Sequence, residues 1–372
     1  MTHKIGAVCF GVLGLLIAFS NVRAQCLTGA HFAVCPGADT IYVNNDKVLG
    51  ALSLSTGALK WRRGLPKVDA GFLDPVVTAS TVAIWEGFPD TRIYAFDAST
   101  GGPSWSLATS ADDMTALGHY IFFNDAAHWE GLVALDDRTG KHAWQHSASE
   151  PPRAGRVRFL ASDSHTLLTN LFVADGDSGR VLARWPKRWA VSAAAFGDKF
   201  VAIGTEYAGP NSTKLAAYSV PGYRMLWTTS DPERWVIEGV ACDTEHILVA
   251  SYPQESVLFS PGKLRLELVE ASSGRAVWSK TFEAAGLLPA PIALLQGVAI
   301  VVTRDSANSS MVQGFDALSG QLKWTARTDH KLAGQVVCAN SKCYVGGDID
   351  VAEALAVNVQ TGEQFWFRIA TQ

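Results

Sequence analysis

Eight times along this chain an apolar run passes through a short polar stretch to a glycine and on to a tryptophan, and no other feature limits the fold as strongly. The copies are LGALSLSTGALKW ending at Trp61, IYAFDASTGGPSW at Trp105, LVALDDRTGKHAW at Trp144 and LFVADGDSGRVLARW at Trp185. They continue as LAAYSVPGYRMLW at Trp227, LELVEASSGRAVW at Trp278, VQGFDALSGQLKW at Trp324 and ALAVNVQTGEQFW at Trp366. The turn glycines, Gly57, Gly101, Gly140, Gly179, Gly222, Gly274, Gly320 and Gly362, are 44, 39, 39, 43, 52, 46 and 42 residues apart. Such a period is far longer than a hairpin and shorter than a domain, and it matches one four-stranded propeller blade.

Each position has a physical reason. Glycine takes the left-handed conformation of a tight turn or bulge without the cost a Cβ brings. Asp97, Asp136, Asp175 and Asp316, each four residues before a glycine, can accept hydrogen bonds from turn amides. The apolar run reads as a strand buried on both faces by neighbouring blades. The tryptophan covers the seam to the next blade, where its large area contributes most. Two copies are irregular: Ala183 holds the fourth repeat's tryptophan position, and Trp227 follows Gly222 by five residues. Displaced seams are expected there.

The pattern Ala-Leu-Asp-x-x-Thr-Gly-x-x-x-Trp resembles the tryptophan-docking repeat of pyrroloquinoline quinone (PQQ) type propellers. The resemblance covers essentially all of the chain after its leader and implies an all-β fold, an eight-bladed β-propeller of four-stranded antiparallel blades. Between motifs, short runs such as DPVVTAS and TVAIWEG supply the remaining strands. Counting from Gln25 to Gly57 leaves room for three strands, so the first and last blades each come out complete. The ring is then expected to close by packing its termini side by side, without exchanging a strand.

PQQ-dependent dehydrogenases that share this repeat are longer, carry adjacent bridged cysteines over the cofactor and hold calcium with Glu, Asn and Asp. This chain has no Cys-Cys pair and no Cys-x-x-Cys-His haem site. In size it is similar to BamB-type propellers, whose resemblance implies a non-catalytic subunit of the bacterial outer-membrane β-barrel assembly machine. The expected role is therefore non-catalytic protein binding or scaffolding in the cell envelope, with no cofactor. The alternatives are a PQQ- and calcium-dependent oxidoreductase and a carbohydrate-active propeller.

The N-terminus points to export. Lys4, the apolar run Ile5 to Phe19 and the sequence Val22-Arg23-Ala24 read as a signal peptide cleaved after Ala24, leaving residues 25–372 as one propeller domain in the periplasm or secreted. Arg23 and Gln25 stand where a lipobox before Cys26 would carry small residues. No later stretch has the ~20 apolar residues of a membrane span. Cleavage leaves 29 basic against 35 acidic side chains. That balance excludes the positive field of a nucleic-acid binder, and a monomer with a protein partner is expected.

Five cysteines remain, and an oxidising compartment lets four of them pair. Cys338 and Cys343 flank a turn in VVCANSKCYV, and Cys26 with Cys35 is taken as the second pair. Cys242, in an apolar strand pattern, reads as a buried free thiol.

Other chemistry-bearing residues are sparse. His142 and His146 lie on one strand at ~13 Å, too far apart for one metal. Asp348 and Asp350 lack the downstream spacing of a calcium loop. Asp112-Asp113 with Asn124-Asp125 and His128 reads as rim structure in place of an acid–base pair, because neighbours on a strand point to opposite faces. No Gly-x-Ser-x-Gly or phosphate-binding loop is present. Cations and aromatics do precede the first strand of several blades: Arg153 and Arg156, Lys187-Arg188-Trp189, Glu233-Arg234-Trp235, and His330-Lys331. These connections converge on one propeller face, and Arg and Trp dominate many protein interfaces. Arg188, Trp189, Arg234 and Trp235 are accordingly the candidate partner-binding rim.

Overall fold

A computed structural model of the protein describes residues 26–369 except 30, 67–73, 87–91, 110, 126–130, 147–156, 187–188, 208–212, 232–234, 254–261, 285–290, 305–308 and 348–350. Its strands form eight consecutive antiparallel sheets, each ordered as in the chain; seven have four strands and the first has five. Each sheet is one blade. Its first strand is innermost and touches the first strands of neighbouring blades, while its fourth strand is the outer edge. With the four outer strands of blade one counted one to four and its additional strand lying inside them, the alternation of strand direction puts the first-to-second and third-to-fourth connections on one face, here called the turn face. The second-to-third connections and those between blades share the other, the loop face.

The third strand of each blade shows why the apolar runs precede the turns. Leu132, Val133, Ala134 and Leu135 of blade three and Leu264, Leu266 and Leu268 of blade six are essentially inaccessible, because both faces of the strand meet other blades. Clusters of buried aliphatic and aromatic side chains fill every seam, so the core is a ring of interfaces rather than one central mass.

The turn aspartates act as the sequence implies. The Oδ1 atom of Asp97 accepts hydrogen bonds from the amides of Ser99 and Thr100 at 3.0 and 2.8 Å, and from both hydroxyls. Asp136, Asp175 and Asp316 repeat this with Thr139, Ser178 and Ser319. The hydroxyl of Ser99, then that of Thr100, holds the Asp97 carboxyl below the usual carboxylate range.

At six seams the docking geometry is uniform. The indoles of Trp61, Trp105, Trp144, Trp227, Trp278 and Trp324 lie against Gly101, Gly140, Gly179, Gly274, Gly320 and Gly362 of the next blade. A Cβ at any of those glycines would fall 2.5–2.9 Å from the ring. Each indole N–H also donates to the carbonyl three residues before its glycine: Ala98, Asp137, Gly176, Ala271, Ala317 and Val359, at 2.6–3.3 Å.

The seam between blades four and five departs from this. Ala183 occupies the tryptophan's register position opposite Val173. Trp185 is 5% exposed and donates to Thr169 O of its own blade at 2.8 Å. The expected displacement in blade five does not occur, because Gly222 is not the register equivalent of the other turn glycines. Tyr223 is: its N–H donates to Ser219 O, as Gly101 N–H does to Asp97 O, and its φ is 48°. Trp227 therefore keeps the usual four-residue spacing and docks normally. With no indole arriving from blade four, a Cβ at position 223 is tolerated. Tyr223 instead packs into the cluster with Leu182, Ala183 and Trp185, filling the seam from the opposite side.

Ring closure also differs from expectation in one respect. Blades one and eight each draw every strand from their own end of the chain. The stretch before Gly57, however, holds four strands, one more than its length implied: Leu27–Gly29, Phe32–Cys35, Thr40–Asn44 and Val48–Ser53. The extra strand pairs inside Phe32–Cys35 and touches the inner strands of blades two and eight.

Trp366 does not dock on Gly57. Blades one to seven all carry a register shift between third and fourth strands, and blade eight pairs without one. Phe365, not Trp366, consequently stands opposite Ala356. A one-residue slip sends a side chain to the other face of a strand, so Trp366 packs on the cluster shared with blade seven. Phe367 and Ile369, both buried, close the seam to blade one, with Ile369 Cδ1 seated where a Cβ on Gly50 would be.

Candidate functional site

The loop face gathers the functional candidates. Trp189 precedes the first strand of blade five, Ala190–Phe196; its N–H donates to Pro186 O at 2.8 Å, and its half-buried ring joins the cluster of the seam between blades four and five. Trp235 opens the first strand of blade six, Trp235–Cys242. The guanidinium of Arg265 lies 4.6 Å from the centroid of its ring, and Arg265 Nε donates to Ser251 Oγ at 3.3 Å. A cation over an indole face gains about 0.5–2 kcal/mol, more as water is excluded. Arg153, Arg156, Lys187, Arg188, Glu233 and Arg234 lie outside the described residues, as do His128, Asp348 and Asp350.

Blade eight carries a charged cluster at the same face. Glu353, 1% exposed, has Oε1 2.9 Å from His330 Nδ1 and Oε2 2.8 Å from Arg368 Nε. Arg368 Nη2 lies 2.9 Å from His330 Nε2, and its guanidinium sits 4.6 Å from the Trp366 ring centroid. The His330 and Trp366 rings are 4.7 Å apart. Gly347 is required here: a Cβ would fall 2.5 Å from Glu353 Cγ. A buried carboxylate needs such partners, since an uncompensated buried charge is strongly unfavourable. The cluster fastens the connection between blades seven and eight to the last strand.

Sequence reading named His330 but missed Glu353, Arg368 and Arg265. A lone acid inside the apolar stretch VAEALAV was the available signal for Glu353. Nothing in the spacing marked Arg265, because its ring partner is thirty residues earlier in another strand.

The other candidates resolve into structural roles. Asp113 Oδ2 accepts the Phe159 amide at 2.7 Å, and Asn124 donates to Val157 O at 2.8 Å. Both tie blade three to the start of blade four. His146 meets the Phe172 ring edge at 5.6 Å, while His142 is exposed at the far end of the same strand, His142–His146. Among the described residues no group of three His, Cys, Asp or Glu could hold a metal ion.

Both expected disulfides are present, Cys26–Cys35 and Cys338–Cys343. Cys338 and Cys343 are directly opposed on paired strands, and Cys26 immediately precedes Leu27, which pairs with Val34 beside Cys35; the bridges stand near the turn face in the two blades that close the ring. Cys26 Sγ is bonded to Cys35, so that sulfur carries no thioether-linked lipid while the bridge stands. Cys242 is a free thiol whose pKa burial pushes up, which keeps it unreactive. Among the described residues, no helix is long and apolar enough to cross a membrane.

No curated protein matches the chain by sequence. Solved structures match its fold. BamB from Moraxella catarrhalis superimposes with a TM-score of 0.59 at 14% identity, over 83% of this chain and 91% of that one. The computationally designed Ika8 protein gives 0.62 at 12% identity over 92% and 96%. Apo AztD from Citrobacter koseri gives 0.55 at 10% over 93% and 96%. At these identities the likeness concerns the fold alone. A family model described as outer membrane protein assembly factor BamB matches residues 45–196 and 211–371. These two stretches take in most of both halves of the ring, and the chain belongs to that family.

Proposed function

We propose that this protein is an exported, non-catalytic propeller that binds a protein partner in the cell envelope, with Arg188, Trp189, Arg234 and Trp235 forming the docking rim on the loop face. The observation that carries this reading is membership of the outer membrane protein assembly factor BamB family over both halves of the ring. A role in outer-membrane protein assembly is the specific form it takes. Two disulfides support an oxidising compartment, consistent with a leader cleaved after Ala24 and a monomeric chain in the periplasm. Trp189 and Trp235 stand on adjacent blades at the ends of inner strands, where large rings add contact area at little entropic cost.

Capture from the native envelope with mild cross-linking tests the rim. The tagged chain should enrich an envelope partner, and Arg188→Glu with Arg234→Glu should reduce its yield at least about tenfold, as expected when like charge replaces hot-spot cations. Undiminished capture by a variant with wild-type melting behaviour contradicts the assignment. The reading includes no cofactor. Adding PQQ and calcium to the purified chain should leave its visible absorbance equal to the sum of the parts, whereas a new bound-quinone band would favour the oxidoreductase alternative.

A further inference from the structure

The docking seat on blade one is open. In six seams the turn glycine is covered by an indole, and those glycines are buried or half-buried. Gly57 has the same left-handed backbone, φ 71°, yet is exposed, and among the described residues nothing lies within 4 Å of where its Cβ would be. The matching carbonyl, that of Leu54, belongs to a half-buried residue, whereas its six counterparts belong to buried ones. The missing register shift in blade eight explains the vacancy, because it turns Trp366 toward blade seven.

The turn itself is polar, Asp39 accepting hydrogen bonds from the Ser53 hydroxyl and from Ser55, and two exposed apolar side chains belong to the two blades of this seam. Leu59, two residues beyond Gly57, is 54% exposed. Phe365, on the face of blade eight toward blade one, is 37% exposed and is held within its own blade by Lys342, whose Nζ lies 4.4 Å from the ring centroid. Neither covers the glycine. The molecule therefore presents a glycine surface and a carbonyl acceptor, the pair of groups that receives an indole in six other places.

We propose that this seat on the turn face takes a tryptophan side chain in trans, from a partner that presents it on an extended segment. The ring would lie on Gly57 and its N–H would donate to Leu54 O, with Leu59 and Phe365 alongside. The six internal seams identify the occupant's chemistry: at each of them an indole on a β-strand fills the same pair of groups. The site is on the face opposite the loop-face rim and does not depend on it.

N-acetyl-tryptophanamide is the probe, titrated into the isotope-labelled mature chain while backbone amide resonances are followed. Saturable shifts should centre on residues 53–59. Gly57→Asn places a side chain on the seat while keeping a residue tolerant of positive φ, and it should weaken the response at least about tenfold. Gly118→Asn, at another open left-handed turn on the same face, should leave the response unchanged and shows that such a substitution folds. Absent shifts, shifts spread over the six occupied seats, or equal responses from wild type and Gly57→Asn each overturn the proposal. Concentration-dependent dimerisation lost in Gly57→Asn would assign the seat to a second copy of the chain and overturn the assignment to a partner.

Discussion

Replacing Trp324 by alanine should lower the unfolding free energy by about 3–5 kcal/mol, the range for removing a packed tryptophan. The ring covers Gly362 and its N–H reaches Val359 O at 2.9 Å. Both contacts cross from blade seven to blade eight, so truncation opens a cavity at the seam and leaves a buried carbonyl without its donor. Trp366→Ala should cost less, about 1–2 kcal/mol, a cation–π contact and partial packing being what it loses. Trp366 covers no glycine, and its contacts with Arg368 and His330 lie within half-exposed surroundings. Denaturant unfolding of the two variants at equal slope gives both values. Equal losses, or a larger loss for Trp366→Ala, would show that the eighth tryptophan docks like the others.

Gly140→Ala and Gly57→Ala form a second comparison, at φ 66° and 71°. Each substitution imposes a left-handed conformation on an alanine, about 1–2 kcal/mol. At Gly140 the new Cβ also meets Trp105 at 2.6 Å and must displace the indole from the seam. At Gly57 it meets open space. Gly140→Ala should therefore destabilise by at least about 3 kcal/mol, backbone strain and lost seam packing together, and Gly57→Ala by the backbone share alone. The difference between the two isolates the worth of one docked ring. If the two lose equal stability, docking contributes nothing beyond turn geometry.

The repeat was legible because glycine and tryptophan at fixed spacing serve one contact, and that contact is made six times. The Cys338–Cys343 disulfide was legible because the two cysteines flank a turn between strands, and Cys26–Cys35 followed as the second pair. Blade five was misread through Gly222: the sequence offers a glycine, but Tyr223 takes its place because the preceding blade sends no indole to exclude a side chain. Blade eight could not be read from spacing at all. Gly362 and Trp366 are separated as in regular copies, and the difference is in a pairing register that depends on Phe367 and Ile369 burying against blade one. The inner strand Leu27–Gly29 was missed because three residues are too few to show a period. On the loop face the sequence placed Trp189 and Trp235 at the starts of blades five and six, where the structure has them. The stacking of Arg265 was not legible, because cross-strand neighbours carry no sequence signature.

We propose that this ring works by binding a protein on its loop face. A photoreactive phenylalanine analogue placed at Trp235, with a second variant carrying it at Lys141 on the turn face of blade three, tests that claim most directly after irradiation of intact envelopes. A discrete adduct from position 235 and none from position 141 is the predicted result. No adduct from 235, or the same adducts from both positions, would contradict it.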